Sequence, residues 1–207
     1  GFSLAPLALG GNFSGWTADE ATSFRLLDAF VAAGGNLVDT ADSYSRWAAG
    51  HTGGESETII GRWIARRGRH DDVVIATKVG SDMGLGYRCL RKEYILRAAE
   101  DSLRRLQVDA IDLYQTHWDD PSTPFNETLE AYQRLLEQGK VRAIGASNLT
   151  AARLSEALFA ATAEGLPKYR TLQPLYNLYD RSEFEGALAE VCIRDNLGVI
   201  PYFSPAV

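Results

Sequence analysis

Short apolar runs alternate along the chain with longer stretches in which apolar side chains recur every three or four residues. The runs Leu4 to Leu9, Leu37 to Asp39, Val73 to Lys78, Ile111 to His117, Val141 to Ser147, Thr171 to Leu175 and Gly198 to Tyr202 rarely alternate polar with apolar residues. That pattern suits strands buried on both faces of a parallel sheet, so seven such strands are predicted. Between them the periodicity becomes that of amphipathic helices. Phe24, Leu27 and Val31 form the first apolar stripe, behind a Thr17-Ala18-Asp19-Glu20 capping box. Ile59, Ile60, Trp63 and Ile64 form the second, and Ile95, Ala99, Leu103 and Leu106 the third. Thr123 followed by Pro124 reads as an N-cap and first helical residue, leading into Leu129, Tyr132 and Leu136. Thr150 caps a fifth helix running to Glu164, and Asp180 or Ser182 caps a sixth ending near Gly198. Gly34, Gly35, Gly139 and Gly198 fall just past helices, where a left-handed residue is wanted.

Strict alternation of strands and helices leaves a (β/α)8 barrel or a doubly wound sheet. The longest irregular segments, Ala41 to Glu55, Gly80 to Leu90 and Trp118 to Thr123, all follow strands, whereas the turns after helices are short. The elaboration therefore lies on one face, as it does at the catalytic end of a barrel. Four polar residues decide the matter. Asp39, Lys78 and His117 each close an apolar strand, at equal steps of 39 residues, and Tyr44 lies in the loop that Asp39 opens. A regular βα repeat with ionisable groups at successive strand ends predicts an α/β fold, the (β/α)8 TIM barrel. Seven strands cannot close such a barrel without leaving the first and seventh as apolar edges. Residues 1–207 are thus expected to be a single barrel domain lacking its eighth strand and closing helices, and the natural protein to continue for roughly 100 residues.

Composition narrows the partners. A hydrophobic share of 45% over 207 residues supports a real core, and a formal charge of −6 argues against nucleic acid or an anionic membrane as partner. Cys89 and Cys192 are lone and far apart, which fits a reduced cytoplasmic chain better than a disulfide framework. No run of 18 apolar residues and no basic-then-apolar leader pattern occurs. The three histidines lack metal-ligand spacing, so no metal is expected. Oligomeric state has no signal in the sequence.

Taken singly, Asp39 could cap a turn, Tyr44 could pack, Lys78 could be solvated and His117 could be a wall residue beside Trp118. Together they suit proton delivery to a carbonyl oxygen. A phenol, with an ordinary pKa of about 10, is a poor acid at neutral pH, and a lysine ammonium beside it favours the phenolate. Asp39 would hold the lysine charge against burial, and His117 would orient the substrate oxygen. No side chain delivers hydride, so reduction also requires a cofactor. Gly10 to Gly15 is glycine-rich but lacks the G-x-G-x-x-G spacing of a dinucleotide loop. Ser147, Asn148 and Gln173 offer hydroxyl and amide partners for a carboxamide, and Tyr202 a flat face for a ring. Trp16, Trp47 and Trp118 lie in loops on the same face, where they can line a substrate pocket or seal the barrel mouth.

Seven stretches carry a family resemblance: Leu9-Gly10-Gly11-Asn12, Val38-Asp39-Thr40-Ala41-Asp42-Ser43-Tyr44, Gly54-Glu55-Ser56-Glu57, Ile75-Ala76-Thr77-Lys78, Asp109 to His117, Gly139 to Asn148 and Gln173 to Asn177. Through them the chain resembles the aldo-keto reductase superfamily, the NADPH-dependent (β/α)8 carbonyl reductases, and within it the bacterial branch near the potassium-channel β-subunits. The resemblance implies a small-molecule aldehyde or ketone as substrate and NADPH as cofactor, with NADH not excluded. It makes Tyr44 the proton donor, tuned by Lys78 and Asp39, with His117 orienting the substrate. Ser147, Asn148, Gln173 and Tyr202 would hold the nicotinamide end, and the grip on the adenine ribose phosphate is expected beyond Val207. Two other readings compete. One is a cofactor-binding redox sensor that docks a partner protein, and the other a metal-dependent barrel hydrolase using Asp112, Asp119 and Asp120.

Overall fold

The computed structural model describes residues 2–205 and contains seven strands and six α-helices. The strands are β1 (Ala8–Gly10), β2 (Leu37–Asp39), β3 (Val74–Val79), β4 (Ile111–Thr116), β5 (Val141–Ser147), β6 (Thr171–Gln173) and β7 (Gly198–Val199). The helices between them are α1 (Glu20–Ala32), α2 (Glu55–Arg67), α3 (Lys92–Leu106), α4 (Phe125–Glu137), α5 (Ala151–Glu164) and α6 (Ala187–Arg194). All neighbouring strands pair in parallel, in the order β1-β2-β3-β4-β5-β6-β7. A doubly wound sheet reverses its strand order at a switch point, and this sheet does not. The fold is six successive βα units and a seventh strand of a (β/α)8 barrel, curled into a partial barrel.

Two apolar clusters explain why the sheet is buried on both sides. The large one joins the helices to the outward strand residues Val38, Ile75, Val79, Tyr114, Ile144, Ala146 and Leu172. The small one, Leu37, Ala76 and Leu113 with Ala8, Val74, Ala143 and Ile200, lies on the inner face of the sheet. Side chains alternate along a strand with period two. Continuing the inward parity by one pleat from Leu37, Ala76 and Leu113 reaches Asp39, Lys78 and Gln115, and a second pleat on the fourth strand reaches His117. The pairings Asp39↔Ala76 and Lys78↔Gln115 place these residues in neighbouring layers. The same parity in the last three strands leads to Ser147, Gln173 and Tyr202.

Helix ends differ in places from the sequence expectation. Thr150 accepts a hydrogen bond from the Arg153 amide and starts α5. For α1 the cap is Asp19, which accepts from the Thr22 amide at 2.8 Å. Thr17 is drawn instead into a turn in which the Phe13 carbonyl accepts the amides of Trp16, Thr17 and Ala18. Pro124 precedes α4 as its cap residue, because the Thr123 hydroxyl donates to Asp120 at 2.6 Å. Neither Asp180 nor Ser182 starts α6, whose cap position is Gly186. Asn177 accepts the amides of Tyr179 and Asp180 and so holds that segment in a turn. Gly198 lies in β7, and Asn196 takes the left-handed conformation before it, with φ of 53°. The first strand is shorter than expected, and β6 stops at Gln173 because Pro174 has no amide to donate.

Outside the barrel, the Thr116 hydroxyl lies 2.9 Å from Tyr132 Oη and 2.8 Å from Tyr169 Oη, tying β4 to α4 and to the segment before β6. All three side chains are fully buried. Thr116→Val keeps the shape but strips both phenols of this partner. Urea unfolding is expected to show a loss of roughly 2–4 kcal/mol, the cost of two unsatisfied buried hydroxyls. A loss below about 0.5 kcal/mol would mean that the phenols find other partners.

Candidate active site

Asp39 ends β2 and Lys78 lies one residue before the end of β3, so their inward side chains meet across the strand pair. Lys78 Nζ lies 2.7 Å from Asp39 Oδ2, 2.8 Å from the Thr40 carbonyl and 3.0 Å from Tyr44 Oη. Tyr44 Oη is also 3.4 Å from Asp39 Oδ2. The tyrosine arrives by a tight turn in which its amide donates to the Ala41 carbonyl. Ser45 then pins the loop, its hydroxyl donating to the Ser14 carbonyl at 2.7 Å. Behind it, Thr40 Oγ1 and Ser56 Oγ are 2.8 Å apart, and Ser56 donates to the Gly11 carbonyl.

His117 follows β4, and its amide donates to the Val79 carbonyl at 2.8 Å. Its ring centroid is 6.0 Å from that of Tyr44. Two residues without a signal in the sequence surround it. Ser81 Oγ is 2.9 Å from His117 Nδ1, and Ser43 Oγ donates to Ser81 Oγ at 3.1 Å. With the Ser43 proton pointed at Ser81, the Ser81 proton is left for Nδ1. When Ser81 donates to Nδ1, a neutral imidazole carries its proton on Nε2. Gln115, one pleat below His117 on β4, also faces the site. It is buried, and its Nε2 has no partner among the described residues.

The electrostatics give each group a definite state. Burial pulls the Lys78 pKa down, but the Asp39 carboxylate and the Tyr44 phenol outweigh it and hold Lys78 above its ordinary value, charged. Burial pushes the Tyr44 phenol up, and the nearby Lys78 ammonium only partly offsets this. The expected net depression of the phenol is therefore corrected: desolvation wins, and Tyr44 keeps its proton. Burial, then Lys78 and Arg88, hold His117 well below its ordinary value, so the imidazole is neutral. The arrangement can offer a phenol proton and an imidazole N–H side by side, over a fixed positive charge.

At the ends of β5, β6 and β7 the remaining polar residues also meet. Ser147 Oγ donates to the Gln173 carbonyl at 2.8 Å, and Asn148 Nδ2 lies 3.0 Å from both Ser147 Oγ and the His117 carbonyl. Tyr202 Oη donates to Asn148 Oδ1 at 2.8 Å. A cleft of about 650 Å³ beside them is lined by Trp118, Asn148, Pro174, Leu175, Phe184 and Tyr202, among others. The Gln173 side chain is buried and has no hydrogen-bond partner of its own among the described residues, its backbone carbonyl alone being engaged by Ser147. Trp118 stacks on His117 with centroids 5.8 Å apart, while Trp16 and Trp47 meet edge to face at 5.6 Å and are half exposed. Tyr44 and Trp47 are 6.0 Å apart, which joins the two groups of rings.

The hydrolase trio does not assemble. Asp112 accepts from the Ile75 amide and pairs with Arg142, and Asp119 makes two bonds to Arg153. Asp120 accepts from the Leu90 amide, Ser122 and Thr123. Each carboxylate is committed to a structural partner. Among the described residues no helix is long and apolar enough to cross a membrane.

Comparison with known proteins follows the same geometry. A model described as "Aldo/keto reductase family" matches residues 6–205. "Aldo-keto reductase YhdN" of Bacillus subtilis is 38% identical over 187 residues, covering 89% of this chain and 52% of that protein. "Protein tas" of Escherichia coli is 35% identical over 224 residues, covering 96% of this chain and 64% of that protein. The solved structure of the glycerol dehydrogenase AKR11B4 from Gluconobacter oxydans superposes with a TM-score of 0.80 at 31% identity, covering 97% of this chain and 60% of that one. The chain thus spans between about half and two thirds of these relatives' length.

A buried carboxyl behind the site generates a pH dependence. Burial and the nearby Glu57 push Asp42 from 3.8 up to about 8, and one of its oxygens has no partner. Between those values the folded chain holds a proton that the unfolded chain has released. Stability from this group is therefore lost as pH rises through the window, by up to about 1.4 kcal/mol per pH unit. Asp42→Asn removes the titration. Subtracting its unfolding free energy from that of the parent at pH 4 to 8 should give a difference that grows steadily in favour of the variant. A flat difference would show that Asp42 ionises normally.

Proposed function

The chain belongs to the aldo/keto reductase family, and on that premise we propose that it reduces a small-molecule aldehyde or ketone to the alcohol with NADPH as reductant. When bound, the nicotinamide cofactor supplies hydride to the carbonyl carbon. The observation that carries the reading is the placement of one buried ammonium, Lys78 Nζ, 2.7 Å from Asp39 and 3.0 Å from the Tyr44 hydroxyl.

Tyr44 Oη gives its proton to the carbonyl oxygen as negative charge develops there. The phenolate left behind is stabilised by the ammonium already in contact with it. Asp39 keeps that ammonium charged in its buried site. His117 donates from Nε2 to the same oxygen and fixes its position without carrying the transferred proton. It remains neutral, because burial and then the positive charges of Lys78 and Arg88 disfavour the imidazolium. Trp16, Trp47 and Trp118 wall the substrate pocket and exclude water.

The polar set at the ends of β5 to β7 fits a nicotinamide. Gln173 offers an amide with no protein partner, Ser147 and Asn148 offer groups complementary to a carboxamide, and Tyr202 offers a ring face. The preference for NADPH over NADH is part of the proposal, as is a single barrel domain to which residues 1–207 contribute. A sensor that only binds cofactor and docks a partner does not require a tuned acid, so the tetrad supports the enzyme.

Tyr44→Phe in the complete protein removes the acid and keeps the packing ring. Carbonyl reduction should fall by roughly 10²–10⁴-fold while cofactor binding, followed by nicotinamide fluorescence, is retained. Lys78→Met should act in the same direction. Parallel loss of cofactor affinity and turnover in Tyr44→Phe would mean that the tyrosine is structural.

A further inference from the structure

The loop from Gly80 to Leu90 carries a cation that the proposed reaction does not use. Arg88 is exposed, and its guanidinium carbon lies 4.5 Å from the Trp118 ring centroid. Trp118 in turn lies nearly parallel to the His117 ring. Beside burial and Lys78, the Arg88 charge also disfavours protonation of His117.

Its charge is left uncompensated. Among the described residues Arg88 forms no salt bridge and no side-chain hydrogen bond. The carboxylates nearest to it along the two loops already have partners. Asp82 accepts the amides of Gly84 and Gly86, Asp119 is bound by Arg153, and Asp120 is held by Leu90, Ser122 and Thr123. Arg153, further along the same face, shows the contrast, since it is paired with both Asp119 and Glu156. In a chain of net charge −6 acidic partners are plentiful, yet this guanidinium faces solvent. A guanidinium lying on an indole face keeps its edge N–H groups free, and those suit a carboxylate in two-point contact.

Tyr44 and His117 mark the carbonyl end, the Trp118 ring comes next, and Arg88 lies beyond it. We propose that Arg88 is a specificity-determining residue that selects carbonyl substrates bearing a carboxylate at the end remote from the reacting carbon. This rests on the carbonyl-reductase reading above and adds a substrate class to it.

The test uses the complete protein with two aldehydes, 4-carboxybenzaldehyde and 4-nitrobenzaldehyde. Their para groups are both planar and of similar size, but only the carboxylate is charged. The readout is the ratio of kcat/KM for the acid to that for the nitro compound, compared between parent and variants. Arg88→Gln should lower the ratio by about five- to tenfold, the range for one charge-assisted pair at a partly exposed site. Arg88→Lys should restore part of it, and added salt should lower the parent's ratio towards that of Arg88→Gln. An unchanged ratio in Arg88→Gln, with the nitro compound still turned over, overturns the inference and leaves the reductase reading intact. An unchanged ratio accompanied by a raised KM for the cofactor also overturns it, by assigning Arg88 to the cofactor. Turnover of neither aldehyde by the parent overturns both.

Discussion

A lysine ammonium buried at the mouth of a barrel persists only if something holds its charge, and here Asp39 does so at 2.7 Å. Lys78 is only 1% exposed, so either charge left alone would be heavily penalised. A buried pair of this kind adds little to stability, because desolvation consumes most of the attraction. Its value is chemical. It fixes a full positive charge against a phenol that desolvation keeps protonated, which gives an acid that is loaded in the resting state and stabilised after it has reacted.

The rest of the fold serves that pair. The parallel register of β2 on β3 sets Asp39 opposite Ala76, one pleat below Lys78. The apolar layer of Leu37, Ala76 and Leu113 packs beneath it inside the sheet's curve. The Thr40–Ser56–Gly11 bonds and the Ser45–Ser14 bond hold the loop that brings Tyr44 over the lysine. Ser81, backed by Ser43, then holds the His117 ring at Nδ1. Each of these is a short-range consequence of where a strand ends.

Much of this was legible in the sequence because the barrel repeats. Equal spacing of Asp39, Lys78 and His117 at strand ends identified both the architecture and the face on which chemistry is possible. Helix stripes such as Ile95, Ala99, Leu103 and Leu106 were equally plain, since all four are buried on one side of α3. Caps were less so. A threonine at a cap position starts a helix only if its amide and hydroxyl are not engaged elsewhere, and at Thr17 and Thr123 competing local hydrogen bonds take precedence. Ser81 and Arg88 could not be read at all, because a loop has no period to place them and their importance lies in what stands across from them. The sign of the Tyr44 shift was hidden for a different reason: whether Lys78 or burial prevails depends on how deeply the phenol is desolvated, which spacing does not reveal.

The balance at Tyr44 is the centre of the account, and it can be observed directly. Labelling tyrosine at Cζ and following the carbon resonance of Tyr44 against pH reports its ionisation without reference to turnover. The account predicts that Tyr44 stays protonated beyond the ordinary phenol value of about 10, since burial pushes it up more than Lys78 pulls it down. Ionisation below that value, in the complete protein without cofactor, would contradict it and show that the ammonium rather than desolvation sets the state of the acid.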